Sequence, residues 1–231
     1  MQNPASLSVC YGIKNRSKKQ EAVRVTSYKT IKEAATAEFV ERKSRFIGHI
    51  APVKTEEEAQ AFVAKISKEH WNATHNVYAY VIREGQISRC SDNGEPQGTA
   101  GVPTLDVLQK EGLTDVCVVV TRYFGGILLG TGGLVRAYSH GAKIAVDAAH
   151  VMHMAPCIRM TVRCEYGFYG KLTYLLPDYQ IRVEDSVFAE DVTLTLIIRK
   201  DRYEPFEKAL TELSNGQVSP VVADTFFDDM P

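Results

Sequence analysis

Residues 116–138 read VCVVVTRYFGGILLGTGGLVRAY, and this stretch constrains the fold more than any other. The near-continuous apolar run over 116–124 predicts a strand covered on both faces, which requires layers above and below its sheet. The segment from about Leu134 to Ala149 predicts a helix. Between them, five glycines fall within nine positions. A glycine-rich strand-to-helix connection either supplies left-handed turns and close packing, or presents backbone N–H groups to an anion at the helix N-terminus.

Two nucleotide fingerprints can be tested on it. Gly125 and Gly130 have the outer spacing of a P-loop, but Thr131 and Gly132 stand where the lysine and the Ser/Thr belong. Gly130 and Gly132 open a dinucleotide pattern, yet Val135 occupies the third glycine position, and no acid ends a second strand about 20 residues on. Both readings fail. Arg122 and Arg136 flank the loop, and Arg136, His140 and Lys143 recur at helical spacing. That stripe is either a solvated helix face or part of a phosphate-backbone seat.

Elsewhere the chain punctuates itself clearly. Residues 37–53 predict an extended pair broken near Lys43–Ser44. Thr55 and Glu58 form a capping box for a helix whose buried face is Ala59, Phe62, Val63 and Ile66. HNVYAYVIRE (75–84) predicts a strand, turning at Gly85–Gln86 into ISRC. A loop over 91–103, SDNGEPQGTAGVP, leads into a short helix ending at Gly112. HVMHMAPC (150–157) is expected to be a domain junction. Beyond it the order is βαββαβ, the ferredoxin-like arrangement. Its first strand alternates Ile158, Met160, Val162 and Cys164 with Arg159, Thr161 and Arg163. Its third alternates Val192, Leu194, Leu196 and Ile198 with Thr193, Thr195 and Arg199. The outward set predicts a basic open sheet face.

The net charge of −1 excludes a whole-molecule field toward nucleic acid, so any basic surface must be local. No apolar stretch reaches the length of a membrane span. Five widely spaced cysteines without a CxxC pair point to thiols in a reducing cytoplasm. Residues 1–27 are expected to be a basic flexible tail rather than a secretory signal. His150, His153 and Cys157 miss the common zinc spacings, and no metal or cofactor is expected.

Three segments together, KSRFIG (43–48), SDNGEPQGTAGVP (91–103) and VTRYFGGILLGTGGLVRAY (120–138), resemble the YigZ/IMPACT family from about residue 28 to the C-terminus. The resemblance implies a two-domain α+β protein. Residues 28–154 would form a domain like that of a small-subunit ribosomal protein and GHMP-type kinases. Residues 155–231 would form a ferredoxin-like domain similar to the last domain of elongation factor G. Eukaryotic members carry an added N-terminal module that binds the activator of a translation-restraining kinase. Residues 1–27 are expected to be too short to supply it.

Two functional readings stay open. One is a noncatalytic, translation-linked regulator that binds RNA, the ribosome or a protein partner in translation control. Its candidate contacts are Lys43, Arg45, Thr99, Arg122, Gly125, Gly126, Gly130, Thr131, Gly132, Gly133 and Arg136. The other is an enzyme acting on a phosphorylated small molecule or nucleotide, with Asp92 and Glu95 as general acid and base. Against that second reading, Asp92 could cap a turn and Glu95 pair with an arginine such as Arg89.

Overall fold

The computed structural model describes residues 27–230. The expected basic tail, apart from its last residue, and Cys10 lie outside them.

A short strand β1 (Tyr28–Ile31) precedes the first sheet, built from β2 (Ala35–Glu41), β3 (Ser44–Pro52), β4 (His75–Ile82), β5 (Ile87–Ser91) and β6 (Val116–Tyr123). These five pair antiparallel in the order β2-β3-β6-β4-β5, with β6 at the centre. Helix α1 (Glu56–Glu69) covers one face; α2 (Gly101–Glu111) and α3 (Thr131–Ala148) cover the other. The apolar run of β6 follows directly. Val116, Val118 and Val120 enter the core beneath α2 and α3, while Cys117 and Val119 enter the smaller core beneath α1.

The capping of α1 is as expected. Thr55 accepts from the Glu58 N–H at 3.2 Å, and the Glu58 carboxylate reaches back to the N–H of Lys54 at 2.6 Å. Helix α2 stops where Gly112 adopts φ 68°.

The second sheet comprises β1 together with β7 (Val151–Cys164), β8 (Arg182–Phe188), β9 (Val192–Arg199) and β10 (Pro220–Asp229), with α4 (Tyr166–Leu175) and α5 (Lys200–Leu213) on one face. Pairing runs β10-β7-β9-β8, all antiparallel, which is the ferredoxin-like order. The alternation of β7 and β9 sends Met160, Val162, Leu194 and Leu196 against Leu172, Phe206 and Leu210.

The expected junction at 150–157 is an unbroken strand. β7 pairs with β1 as far as Met154 and begins pairing with β9 at Cys157. Pro156 sits just before that second ladder starts, where its missing N–H costs no bond to β9. Ile31 of β1 belongs to the first domain's core. Arg83, from the end of β4, stacks on Tyr28 and on Phe227 of β10, at 4.4 and 5.1 Å from the ring centres. The two halves therefore share a strand and a cation–π contact.

The open face of the second sheet is not basic. Arg159 is held between Glu184 and Asp224, Arg163 binds Asp191, Arg199 binds Asp201, and Arg182 binds Asp228. Period-two alternation identifies which arginines share a face. It says nothing of carboxylates arriving from β8, β10, the start of α5 and the turn before β9, and those neutralise the surface.

Candidate functional site

Helix α3 begins at Thr131, three residues earlier than its apolar pattern suggests, because Gly132 and Gly133 lie in its first turn. Gly130 precedes it with φ 70° and supplies no capping side chain. The first intrahelical bond there runs from the Leu134 N–H to the Gly130 carbonyl at 2.9 Å. The N–H groups of Thr131, Gly132 and Gly133 are thus the unbonded donors of an 18-residue helix, at the positive end of its dipole.

Gly125 is required for a different reason. A Cβ there would lie 1.9 Å from the Lys43 carbonyl oxygen, so the loop packs directly on the tip of the β2–β3 hairpin. Its N–H donates to the Ser44 hydroxyl at 3.2 Å. The tip is a two-residue turn with both residues left-handed, Arg42 at φ 45° and Lys43 at φ 66°. Such turns favour Asn-Gly, and two long cationic side chains in that conformation store strain at the surface.

The two carboxylates of the SDNGEP loop have separate tasks. Asp92 accepts from the backbone N–H groups of Gly98 (2.8 Å), Ala100 (3.0 Å) and Gly101 (2.8 Å), so it caps α2. Burial works to raise its pKa, yet these three bonds hold the carboxyl below the usual carboxylate range. Thr99, buried nearby, donates to the Pro96 carbonyl at 2.6 Å and fixes the same loop.

Glu95 is buried in an ion pair. Its Oε1 accepts from Arg122 Nη1 at 2.5 Å and from the Tyr138 hydroxyl at 2.7 Å, and His75 Nε2 stands 3.7 Å away. Burial first, and then the Glu95 charge, push the Tyr138 hydroxyl far up, so it remains a donor. His75 is oriented by a hydrogen bond that its Nδ1 donates to the Asn93 carbonyl at 2.8 Å, which turns Nε2 toward Glu95. Arg89 approaches Glu56 instead, at 3.9 Å.

The glycine loop separates two hollows that share only Leu129 among their linings. One, of about 430 Å³, has Phe124, Leu128 and Leu134 as apolar walls, Glu95, Arg122 and His75 as its polar part, and Gly130–Thr131 at its edge. The other, of about 490 Å³, is lined by Arg42, Arg136, His140 and Phe39, with Glu41. Arg122 and Arg136 therefore flank the loop in sequence but serve different hollows. Arg122 is only 5% exposed. Lys43 is exposed on the hairpin tip beside the loop, and Arg45 is tied to Glu38 at 2.5 Å. Gly126 completes the loop with φ 81°.

Sequence reasoning missed His75, Tyr138 and Arg42 as members of this site. Tyr138 had a signal, since it follows Leu134 by one helical turn and so shares the face turned toward the sheet. His75 had none, because its role depends on the Asn93 carbonyl from another loop. Among the described residues, no cluster of three or more His, Cys, Asp or Glu is positioned to hold a metal ion. No helix among them is long and apolar enough to cross a membrane.

Fold and site together define a two-domain α+β protein in which a glycine loop links the central strand of an antiparallel sheet to an uncapped helix. Residues 42–146 match the Impact N-terminal domain, and residues 162–217 match a domain of unknown function, DUF1949. The chain is 45% identical over 192 residues to the IMPACT family member YvyE of Bacillus subtilis, covering 83% of this chain and 88% of that one. It is 36% identical to the IMPACT family member YigZ of Escherichia coli, covering 77% and 88%. Mouse protein IMPACT is 38% identical over 96 residues, 30% of its own length. A solved structure of a hypothetical protein superimposes with a TM-score of 0.55 at 33% identity, covering 86% of this chain and 98% of that one. The chain belongs to the IMPACT family.

Proposed function

We propose that this protein is a noncatalytic regulator linked to translation, and that it binds RNA, on the ribosome or apart from it, through the basic side of the glycine loop. Family membership supports the general role. The surface supports the contact. The carrying observation is the trio Arg42, Lys43 and Arg136, which gathers on one hollow and the adjoining hairpin tip. Arg42 has only a 3.9 Å approach to Glu41, with both side chains more than half exposed. Pairs of that kind contribute little and are screened by salt, so the cation remains available to phosphate. The arginines of the second sheet, each already paired with a carboxylate, make a poorer seat.

Such contacts read backbone charge and shape rather than sequence. The test is fluorescence anisotropy with a structured RNA across a salt series. The variant is Arg42→Asn/Lys43→Gly/Arg136→Gln, whose first two changes suit the left-handed hairpin tip and so preserve the fold. Wild type is expected to lose affinity steeply with salt, and the variant to show a slope shallower by about 2–3 for three lost phosphate contacts. An unchanged slope and affinity in the variant would remove RNA from this face.

A further inference from the structure

The apolar hollow on the other side of the glycine loop is built differently from the basic one. Its walls are Phe124, Leu128 and Leu134, and its edge is the uncapped N-terminus of α3 at Thr131. Its polar part is a cation that is 95% buried yet incompletely bonded. Glu95 takes Arg122 Nη1, and Arg122 Nε has no hydrogen-bond partner among the described residues. A guanidinium N–H sequestered without an acceptor costs more than a neutral one, so the arrangement calls for a ligand acceptor or a shift that brings one within reach. His75 Nε2, held in place by the Asn93 carbonyl, adds a polar atom on the same wall.

These features differ along the hollow. The Gly130–Thr131 edge, where the first turn of α3 leaves its N–H donors without intrahelical partners, suits one anionic group with several acceptor oxygens. The apolar walls suit a flat ring, with Phe124 half-exposed beside the mouth. The Arg122, Glu95 and His75 groups offer both donor and acceptor character to the edge of a heterocycle. A volume of about 430 Å³ greatly exceeds a lone phosphate and accommodates a base, a sugar and a phosphate together.

We propose that this hollow binds a single unstacked nucleotide unit, with the phosphate on the N-terminus of α3 and the base between Phe124 and Leu134. The chemistry is the same for a mononucleotide in solution and for one residue of an RNA strand. Only the second source rests on the RNA-binding reading above.

Calorimetry on the full chain with UMP, CMP, AMP and GMP, and with the matching nucleosides and inorganic phosphate, tests it. At least one mononucleotide should bind saturably with Kd below about 1 mM, and its nucleoside and phosphate alone should each bind at least about tenfold more weakly. Thr131→Glu puts a carboxylate at the phosphate position while favouring the helix dipole, so it should abolish binding without lowering the melting temperature. Phe124→Ala should weaken binding about tenfold through the base. Adding the mononucleotide to a complex with short single-stranded RNA separates the sources. Displacement assigns the hollow to an RNA residue, and undisturbed RNA assigns it to a nucleotide in solution. Absence of millimolar binding by all four mononucleotides, or equal binding by the Thr131→Glu variant, would overturn the proposal.

Discussion

Glu95 and Arg122 face each other across 2.5 Å at 4% and 6% side-chain exposure, one from a turn-rich loop and the other from the end of the central strand. The pair joins the SDNGEP loop to the strand that feeds the glycine loop, and Tyr138 closes it from α3. Three segments that are far apart in sequence are therefore fastened at one carboxylate oxygen. The position of the uncapped helix relative to the sheet depends on that fastening.

Breaking the pair from one side should be much worse than removing it whole. Glu95→Ala leaves Arg122 as a buried charge without its counterion, at a cost of about 3–5 kcal/mol. Arg122→Met in the same chain replaces the orphan with an apolar side chain among Phe46, Phe124 and Leu134, and should recover much of that loss. Urea unfolding of the single and double variants measures both. A double variant less stable than Glu95→Ala would mean that Arg122 stabilises this region through contacts other than Glu95.

Asp92 is expected to act on stability alone. Asp92→Ala removes the acceptor of three N–H groups, two of them at the start of α2, and should cost about 1–3 kcal/mol in thermal unfolding. RNA affinity, measured below the lowered melting temperature, should hold, since the basic hollow lies on the far side of the glycine loop. A loss of affinity in the folded Asp92→Ala protein would give the carboxylate a role in binding.

Much of this fold was legible in the sequence. Period-two alternation in 158–164 and 192–198, the Thr55–Glu58 box and the Gly112 stop each follow from local chemistry, and each is present. The run at 116–124 announced a strand covered on both sides, and two cores flank it. What was not legible depends on partners distant in sequence. Arg159 looks like an open-face cation until Glu184 and Asp224 are brought beside it. Arg122 and Arg136 look like two sides of one seat because the strand and helix are adjacent in the chain. Strand registry buries the first, and helical rotation turns the second to the other hollow. Of the paired carboxylates, Asp92 is claimed by α2, and only Glu95 reaches the site.

The glycines of the loop divide by a simple substitution. Gly125→Ala drives a Cβ to 1.9 Å from the Lys43 carbonyl oxygen and 2.0 Å from its carbon, both backbone atoms, so the hairpin tip must move. A loss of about 1–3 kcal/mol is expected, together with weaker RNA binding because Arg42 and Lys43 are displaced. Gly132→Ala meets nothing nearer than the Arg136 guanidinium at 3.7 Å and replaces a glycine within the first turn of a helix. That change should leave stability unchanged or raise it by up to about 1 kcal/mol. Thermal unfolding of the two variants side by side reads the contrast, and equal melting temperatures would contradict the packing of the loop on the hairpin.

His49 should impose a pH dependence on folding. Its ring is 7% exposed on β3, with Nδ1 3.2 Å from the Thr36 hydroxyl, Nε2 without a partner among the described residues, and the His70 ring centre 5.0 Å away. Burial, assisted by His70, pushes its pKa down from 6.5 to about 4. Between those values the unfolded chain binds a proton that the folded chain refuses, so stability rises with pH across this window. The contribution is fully present above about pH 6.5 and is lost as the pH falls toward 4, below which both states carry the proton and no more is lost. The size of the shift corresponds to about 3 kcal/mol. Carboxylates of ordinary pKa also take up protons toward the lower end of the range, so the comparison must be with His49→Gln, which keeps them and removes the imidazole. Urea unfolding at pH 7 and pH 4.5 should show wild type losing stability between the two conditions by a margin that His49→Gln does not share. Parallel losses in the two proteins would assign the pH dependence to the carboxylates and leave His49 as a polar side chain of the α1 face.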